Sequence, residues 1–214
     1  VILVSGHLEI INENGHIVHR PKRSTNPTVV AWYLLFYNYL GGHGQVMFRC
    51  KQAIELGAYS EQRPYSQDYE LWLRLMGEGD IVILPEVVLR WRAHSKNISA
   101  QKRLEQDALS LIASGKAISA YLAEPLNLEG VSQLRNFWFG QFPNSKYMTT
   151  VDSRLRRIHQ NFCEKQPAQI RNELSGTLAS LIGQQFIRWS RFLAIQVGPY
   201  YMIQGLWYAS RWYQ

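Results

Sequence analysis

Only two cysteines, Cys50 and Cys163, occur in the 214 residues. That excludes a disulfide-stapled secreted domain and suits a reducing compartment. Neither cysteine sits in a motif that would mark a nucleophile. Aspartate is scarce too, with Asp68, Asp80, Asp107 and Asp152 the whole set, and no Asp-x-Asp pair exists. Asp68-Tyr69-Glu70 imitates one, but on a helix an i,i+2 spacing sends the two carboxylates to nearly opposite sides. The chain has no initiator Met, no signal-peptide charge pattern, no internal repeat and no low-complexity tract. Val1-Ile2-Leu3-Val4 starts inside an apolar strand, which reads as a chain truncated at its start.

The composition is that of a globular chain of one or two domains, with 46% hydrophobic and 18% charged residues. Residues 1 to 99 carry 10 Lys plus Arg against 9 Asp plus Glu, and residues 100 to 214 carry 13 against 7, so the net +7 resides almost wholly in the second part. Character changes at the same place. The first part reads as mixed strand and helix, and the second as helical.

In the first part, Leu8 to Ile11, Asn12-Glu13-Asn14-Gly15 and His16 to His19 form a hairpin pattern, with Asn-Gly supplying the turn. His7, His16 and His19 lack a Cys or carboxylate cluster and read as strand surface rather than a metal site. Arg20 to Pro27 reads as a loop, then Thr28 to Leu40 as one aromatic helix capped by Asn26 or Thr28. Its rings suit a core-facing helix better than a sugar-stacking wall. Gly41-Gly42-His43-Gly44 makes a turn before a strand from Gln45 to Arg49. Those glycines serve either close approach to a ligand or the C-cap of the preceding helix.

Ser66-Gln67-Asp68-Tyr69-Glu70-Leu71-Trp72 opens a helix in which Ser66 or Asp68 is the N-cap and Leu71, Trp72 and Leu75 form the apolar face. Ile81 to Leu84 and Val87 to Arg92 read as two strands separated by a Pro85-Glu86 turn. His94 then closes the second strand. Alone, Asp68 reads as a cap and His94 as a strand end. Together they set a carboxylate and an imidazole at the ends of two elements, as an active site requires.

Taken in order, GGHGQVMFR, ELGAYSE, SQDYELWLRL, LPEVVLRWRAH and SKNIS resemble the second half of the catalytic domain of family 2 glycosyltransferases, across Val1 to Ser99. The resemblance implies an α/β domain with the GT-A fold, a Rossmann-like mixed sheet, in residues 1-99 as the acceptor-side half, followed by an all-α region in 100-214. It implies an inverting, metal-dependent transfer from a nucleotide-sugar donor to a saccharide or lipid-linked acceptor. Asp68 falls on the general base, and His94 on the position beside the metal (Mg or Mn) and diphosphate. Gly42, His43, Gln67, Trp72 and Arg92 fall on substrate-binding positions. Gln67 stands where the family usually has Glu, which removes a like charge beside the base. The family's Asp-x-Asp and nucleotide-binding strands would precede Val1, so most metal ligands are expected upstream and this chain alone is expected to be inactive.

In the second part, Leu104, Ala108, Leu111, Ile112, Ile118 and Leu122 mark one helix, and Leu174 to Leu193 another. Between them Thr150 or Asp152 caps a basic helix ending near Pro167. The 19 uncharged residues between Arg191 and Arg211 approach a bilayer-spanning length, but Gly198-Pro199 and several polar residues favour a helical hairpin or an interfacial segment. Trp207, Tyr208, Trp212 and Tyr213 beside basic residues suit either a membrane face, at the inner surface of the membrane of a cytoplasmic protein, or an ordinary solvated basic helical face. A non-catalytic module docking on a membrane or an acidic partner is therefore the alternative to an enzyme. No nucleic-acid motif accompanies the basic charge, so no nucleic-acid partner is expected.

Overall fold

The computed structural model describes residues 1 to 196, 198 and 200 to 213. Pro199, part of the hairpin expectation above, lies outside the described residues. Two compact units are present, Val1–Ala117 and Ile118–Gln214. The first is mixed α/β and the second is helical, as the pattern of elements implies.

In the first unit, β1 (Leu3–Ile11) is the central strand. On one edge β4 (Ile81–Arg92) runs parallel to it along its whole length. The other edge is shared by two antiparallel partners, β3 (Val46–Phe48) at residues 3 to 5 and β2 (Ile17–His19) at residues 10 and 11. The expected hairpin forms, with Asn12 Oδ1 accepting from the backbone N–H groups of Asn14 and His16 and Gly15 in the left-handed region.

The two strands expected around Pro85-Glu86 are one. Gly6 pairs with Leu84 and His7 with Val87, so Pro85 and Glu86 are extra residues in a bulge rather than a turn. Both halves stay on the same neighbour, which local sequence does not reveal. Gly6 is what admits this bulge, since a Cβ there would stand 2.6 Å from Val88 Cγ1 and 3.0 Å from the Glu86 carbonyl oxygen. Just beyond the bulge the register sets Glu9 opposite Arg90. The buried Glu9 carboxylate accepts from Arg20 Nε at 2.8 Å and Arg90 Nε at 3.0 Å. The Arg20 bond above all, with Arg90 adding to it, holds this carboxyl below its ordinary range despite the opposing effect of burial.

Helix α1 (Pro27–Leu34) is shorter than the aromatic run suggested. Its start is as expected, with Asn26 Oδ1 accepting from Thr28 and Val29 N–H. Its end is set from outside, because Tyr69 Oη donates to the Leu34 carbonyl and Ser114 Oγ to the Leu35 carbonyl. These bonds satisfy groups that another turn of helix would otherwise take. The glycines at 41 to 44 consequently are not that helix's C-cap.

Helices α2 (Cys50–Glu55) and α3 (Gln67–Leu75) complete this unit's core. Leu3, Val30, Leu34, Trp72, Leu75 and Ile83 form its centre, all fully or nearly fully buried. Each such side chain contributes about 1.5–3 kcal/mol. Ala113, on the long helix α5 (Arg103–Leu122) that follows the short α4 (Ile98–Gln101), joins the same core. That is why the first unit extends to residue 117 and not to the composition change at 99.

In the second unit α6 (Leu128–Phe139), α7 (Met148–Glu164), α8 (Ala168–Gln196) and α9 (Tyr200–Ser210) enclose an aromatic core of Phe137, Phe186, Trp189 and Tyr208. Asp152 is not a helix cap. It lies buried inside α7, where it accepts from Trp212 Nε1 at 2.8 Å and Arg156 Nε at 3.0 Å, with Arg211 3.5 Å away. Among the described residues no helix is long and apolar enough to cross a membrane.

Candidate functional site

Asp68 sits in the first turn of α3, one side of a shallow shelf formed by the Gly41–Gly44 turn, Tyr59 and the start of that helix. Ser66, just before the helix, adopts a left-handed backbone (φ 56°) with no side-chain cap of its own. A non-glycine residue there costs on the order of 1 kcal/mol or more. Ser66 Oγ donates to the Gln106 carbonyl at 3.0 Å, which holds the bend and so aims the turn carrying Asp68. The half-buried Asp68 takes the Tyr69 N–H on Oδ1 at 2.7 Å. Its Oδ2 turns the other way, toward Gly42, and lies 4.0 Å from the point where a Gly42 Cβ would be.

The opposite wall is held by Gln45. Its buried amide donates to the Leu40 and Gly6 carbonyls and to Ser5 Oγ, tying the glycine turn to β1. Gly41 is left-handed (φ 85°), and its missing side chain leaves room for that amide, 3.2 Å from a Cβ at this position. Gly42 and His43 are consequently presented to solvent.

His43 Nδ1 and Tyr59 Oη are hydrogen-bonded at 3.0 Å across the shelf. Tyr59 is close enough to Asp68 to feel its charge: burial first, and the Asp68 carboxylate second, push the phenol above its ordinary range. A neutral phenol beside a carboxylate can both donate and accept a hydrogen bond. Phe48 and Trp72 line the base, with ring centroids 5.5 Å apart, and the Trp72 edge meets His43 at 6.1 Å. Trp72 is itself fully buried and points Nε1 at the Gly41 carbonyl. The substrate contact expected of Trp72 is thus replaced by support from below, because the α3 periodicity that identified it turns it into the core.

Arg74 ties the shelf's two sides together. From α3 it pairs with Glu70 at 2.7 Å and donates to the carbonyls of Leu56 and Ala58, immediately before Tyr59. Neither Tyr59 nor Arg74 was among the residues picked out by sequence pattern. ELGAYSE contains the tyrosine, but only the folded chain brings it to His43.

Gln67 opens α3, half-buried beside Asp68. Arg92 and His94 belong to a different part of the surface. Arg92 donates to the backbone carbonyls of Asn12 at 3.0 Å and Glu13 at 2.7 Å, clamping the β1–β2 hairpin. His94 lines a cavity of about 500 Å³ with Trp91, Asn97 and Ser99, a lining that does not include Asp68, Gly42 or His43. Among the described residues no three His, Cys, Asp or Glu side chains gather as metal ligands. The residues around His94 therefore do not fit a divalent cation site by themselves.

The arrangement as a whole offers one carboxylate oxygen facing an open glycine turn, an imidazole–phenol pair beside it and an aromatic base beneath. A carboxylate so placed can accept a proton from a hydroxyl bound against the glycine turn. No family model, characterised protein or solved structure matches the chain.

Proposed function

We propose that the Asp68 shelf is the acceptor side of a glycosyl-transfer site in a GT-A-like domain, with Asp68 as general base. The observation that carries this reading is the placement of Asp68: one oxygen engaged by its own helix, the other aimed across at the bare backbone of Gly42. A saccharide hydroxyl bound between them would give its proton to Oδ2 while its oxygen forms the bond to the anomeric carbon of a nucleotide sugar, and the nucleoside diphosphate leaves with the bonding pair. Attack from the face opposite the leaving group inverts the anomeric centre. His43 and Tyr59 would hydrogen-bond neighbouring hydroxyls of the acceptor, and the half-buried Phe48 would lie against its apolar face. The order of motifs along the first 99 residues supports the same reaction. The two unpaired cysteines and the nucleotide-sugar donor favour the cytoplasm.

Purified protein from the whole reading frame, incubated with a panel of nucleotide sugars and saccharide or lipid-linked acceptors, should release nucleoside diphosphate only when the acceptor is present. Release that ignores the acceptor, or none with any pair at millimolar substrate, would contradict the proposal.

A further inference from the structure

The last turns of α8 and the whole of α9 present an apolar surface that the second unit leaves uncovered. Along α9, Tyr200, Ile203, Leu206 and Trp207 recur at helical spacing and are exposed, Ile203 by 70% and Tyr200 by 71%. The helix's other face fixes this orientation. Gly205 packs so tightly on α8 that a Cβ would fall 2.2 Å from Ser190 Cβ, and the Tyr208 ring stacks on Phe186 at 5.5 Å. The outward stripe is therefore not an alternative packing face. On α8, Phe192 and Ile195 are also exposed, Ile195 by 83%.

The charge that α8 and α9 themselves expose here has one sign, although Arg211 also lies 3.5 Å from the buried Asp152 carboxylate. From Leu174 to Gln214 the sequence contains Arg188, Arg191 and Arg211 and no acidic residue. Arg188, Arg191, Phe192 and Ile195 follow one another on one stripe of α8, and Arg211 lies 4.8 Å from the Trp207 ring centroid. Guanidinium groups beside exposed indole and aliphatic side chains match the headgroup boundary of an anionic bilayer, where the rings and methyls enter the acyl edge and the arginines meet phosphate. A second copy of the same face would instead bring like charges together. At 11 residues α9 is only about 16 Å long, enough to lie along a bilayer and too short to cross one.

We propose that the outward faces of α8 and α9 form an interfacial anchor for anionic lipid bilayers, with Ile195, Ile203 and Trp207 inserted and Arg188, Arg191 and Arg211 at the phosphates. This is independent of the transfer reaction. In flotation with the intact chain, mixed phosphatidylglycerol–phosphatidylcholine vesicles should bind it and pure phosphatidylcholine vesicles only weakly. Added salt should weaken the binding, and each Arg188→Gln or Arg191→Gln change should lower affinity roughly five-fold. Ile203→Glu with Ile195→Glu should abolish binding while the far-UV circular dichroism stays helical. Should that variant misfold, wild-type tryptophan quenching by brominated acyl chains, and its reduction in Trp207→Phe, reads insertion directly. Absence of binding to the phosphatidylglycerol vesicles overturns the proposal. So does binding unaffected by salt and by the arginine changes, or a lipid-free dimer that itself protects Trp207.

Discussion

Asp68 Oδ2 lies 4.0 Å from where a Gly42 Cβ would begin, so the space between helix α3 and the glycine turn is set by the absence of a side chain. Gly42 has an ordinary extended backbone (φ −81°), which any residue can adopt. Its substitution therefore tests space and not strain. Gly42→Ala should fold and transfer with at most a few-fold loss. Gly42→Leu should fold equally well and raise the acceptor KM by at least ten-fold, because the larger side chain fills the position proposed for the acceptor. Thermal melting alongside steady-state kinetics checks both halves, and equal activity for Gly42→Leu would show that the acceptor does not pass there.

Overpacking at the β4 bulge has a more definite cost. Gly6→Ala puts a methyl 2.6 Å from Val88 Cγ1 and should destabilise the first unit by about 1–3 kcal/mol in urea unfolding. Val88→Ala on its own removes partly exposed apolar surface and costs less. The double variant should recover part of the loss, not all of it, since the Glu86 carbonyl oxygen stays 3.0 Å away. Strict additivity of the two changes would mean that the bulge rearranges.

The bulge also shows where sequence reading stops. Asn12 to His16 is legible because Asn-Gly turn chemistry is local, and α3 is legible from its period and apolar face. Pro85-Glu86 has equally good turn chemistry, yet the pairing of both flanking segments with β1 overrides it. The same holds at the site. Asp68, Gly42 and His43 can be picked out along the chain, whereas the Tyr59 contact to His43 and the Arg74 clamp depend on elements that meet only in the folded unit. His94 is linked to Asp68 only by the order of two separate motifs, and its lining neighbours are those of β4's end. Trp72 was legible as an apolar helix position and, for that reason, is core.

Asp152 illustrates the limit in the second unit, where its residue type suggested a cap and burial made it an anchor. Asp152→Asn keeps the size but weakens the bonds from Trp212 and Arg156. Both arginines around it are partly exposed and can turn to solvent, so the loss should be about 1–3 kcal/mol, less than for a fully buried pair. Urea unfolding should show it, with the Trp212 environment changing first. An unchanged midpoint would mean that the C-terminal turn is held by packing alone.

His159 makes the second unit sensitive to mild acid. Its imidazole donates from Nε2 to the Ser175 carbonyl at 3.1 Å and meets the Trp212 ring edge-on. Burial first, and nearby Arg156 after it, lower its pKa from the ordinary value near 6.5, while the Ser175 bond opposes them. A lowered folded-state pKa means the unfolded chain binds the proton more readily. The stability contribution is thus complete above about pH 6.5 and is lost as pH falls toward the folded-state value. Unfolding midpoints should drop between pH 7 and pH 5, and His159→Gln should flatten that part of the slope. A His159→Gln profile parallel to wild type throughout this window would assign the acid sensitivity to other groups.

The most direct measurement is the transfer rate of Asp68→Asn in protein from the whole reading frame, using the donor and acceptor identified by diphosphate release. The amide keeps the shape and the Tyr69 N–H contact on its oxygen but cannot take the acceptor's proton. The rate should fall by roughly 10²- to 10⁴-fold with the donor KM nearly unchanged. An Asp68→Asn protein that folds and retains close to full activity would show that Asp68 only shapes the start of α3, and the glycosyl-transfer site would have to be sought elsewhere.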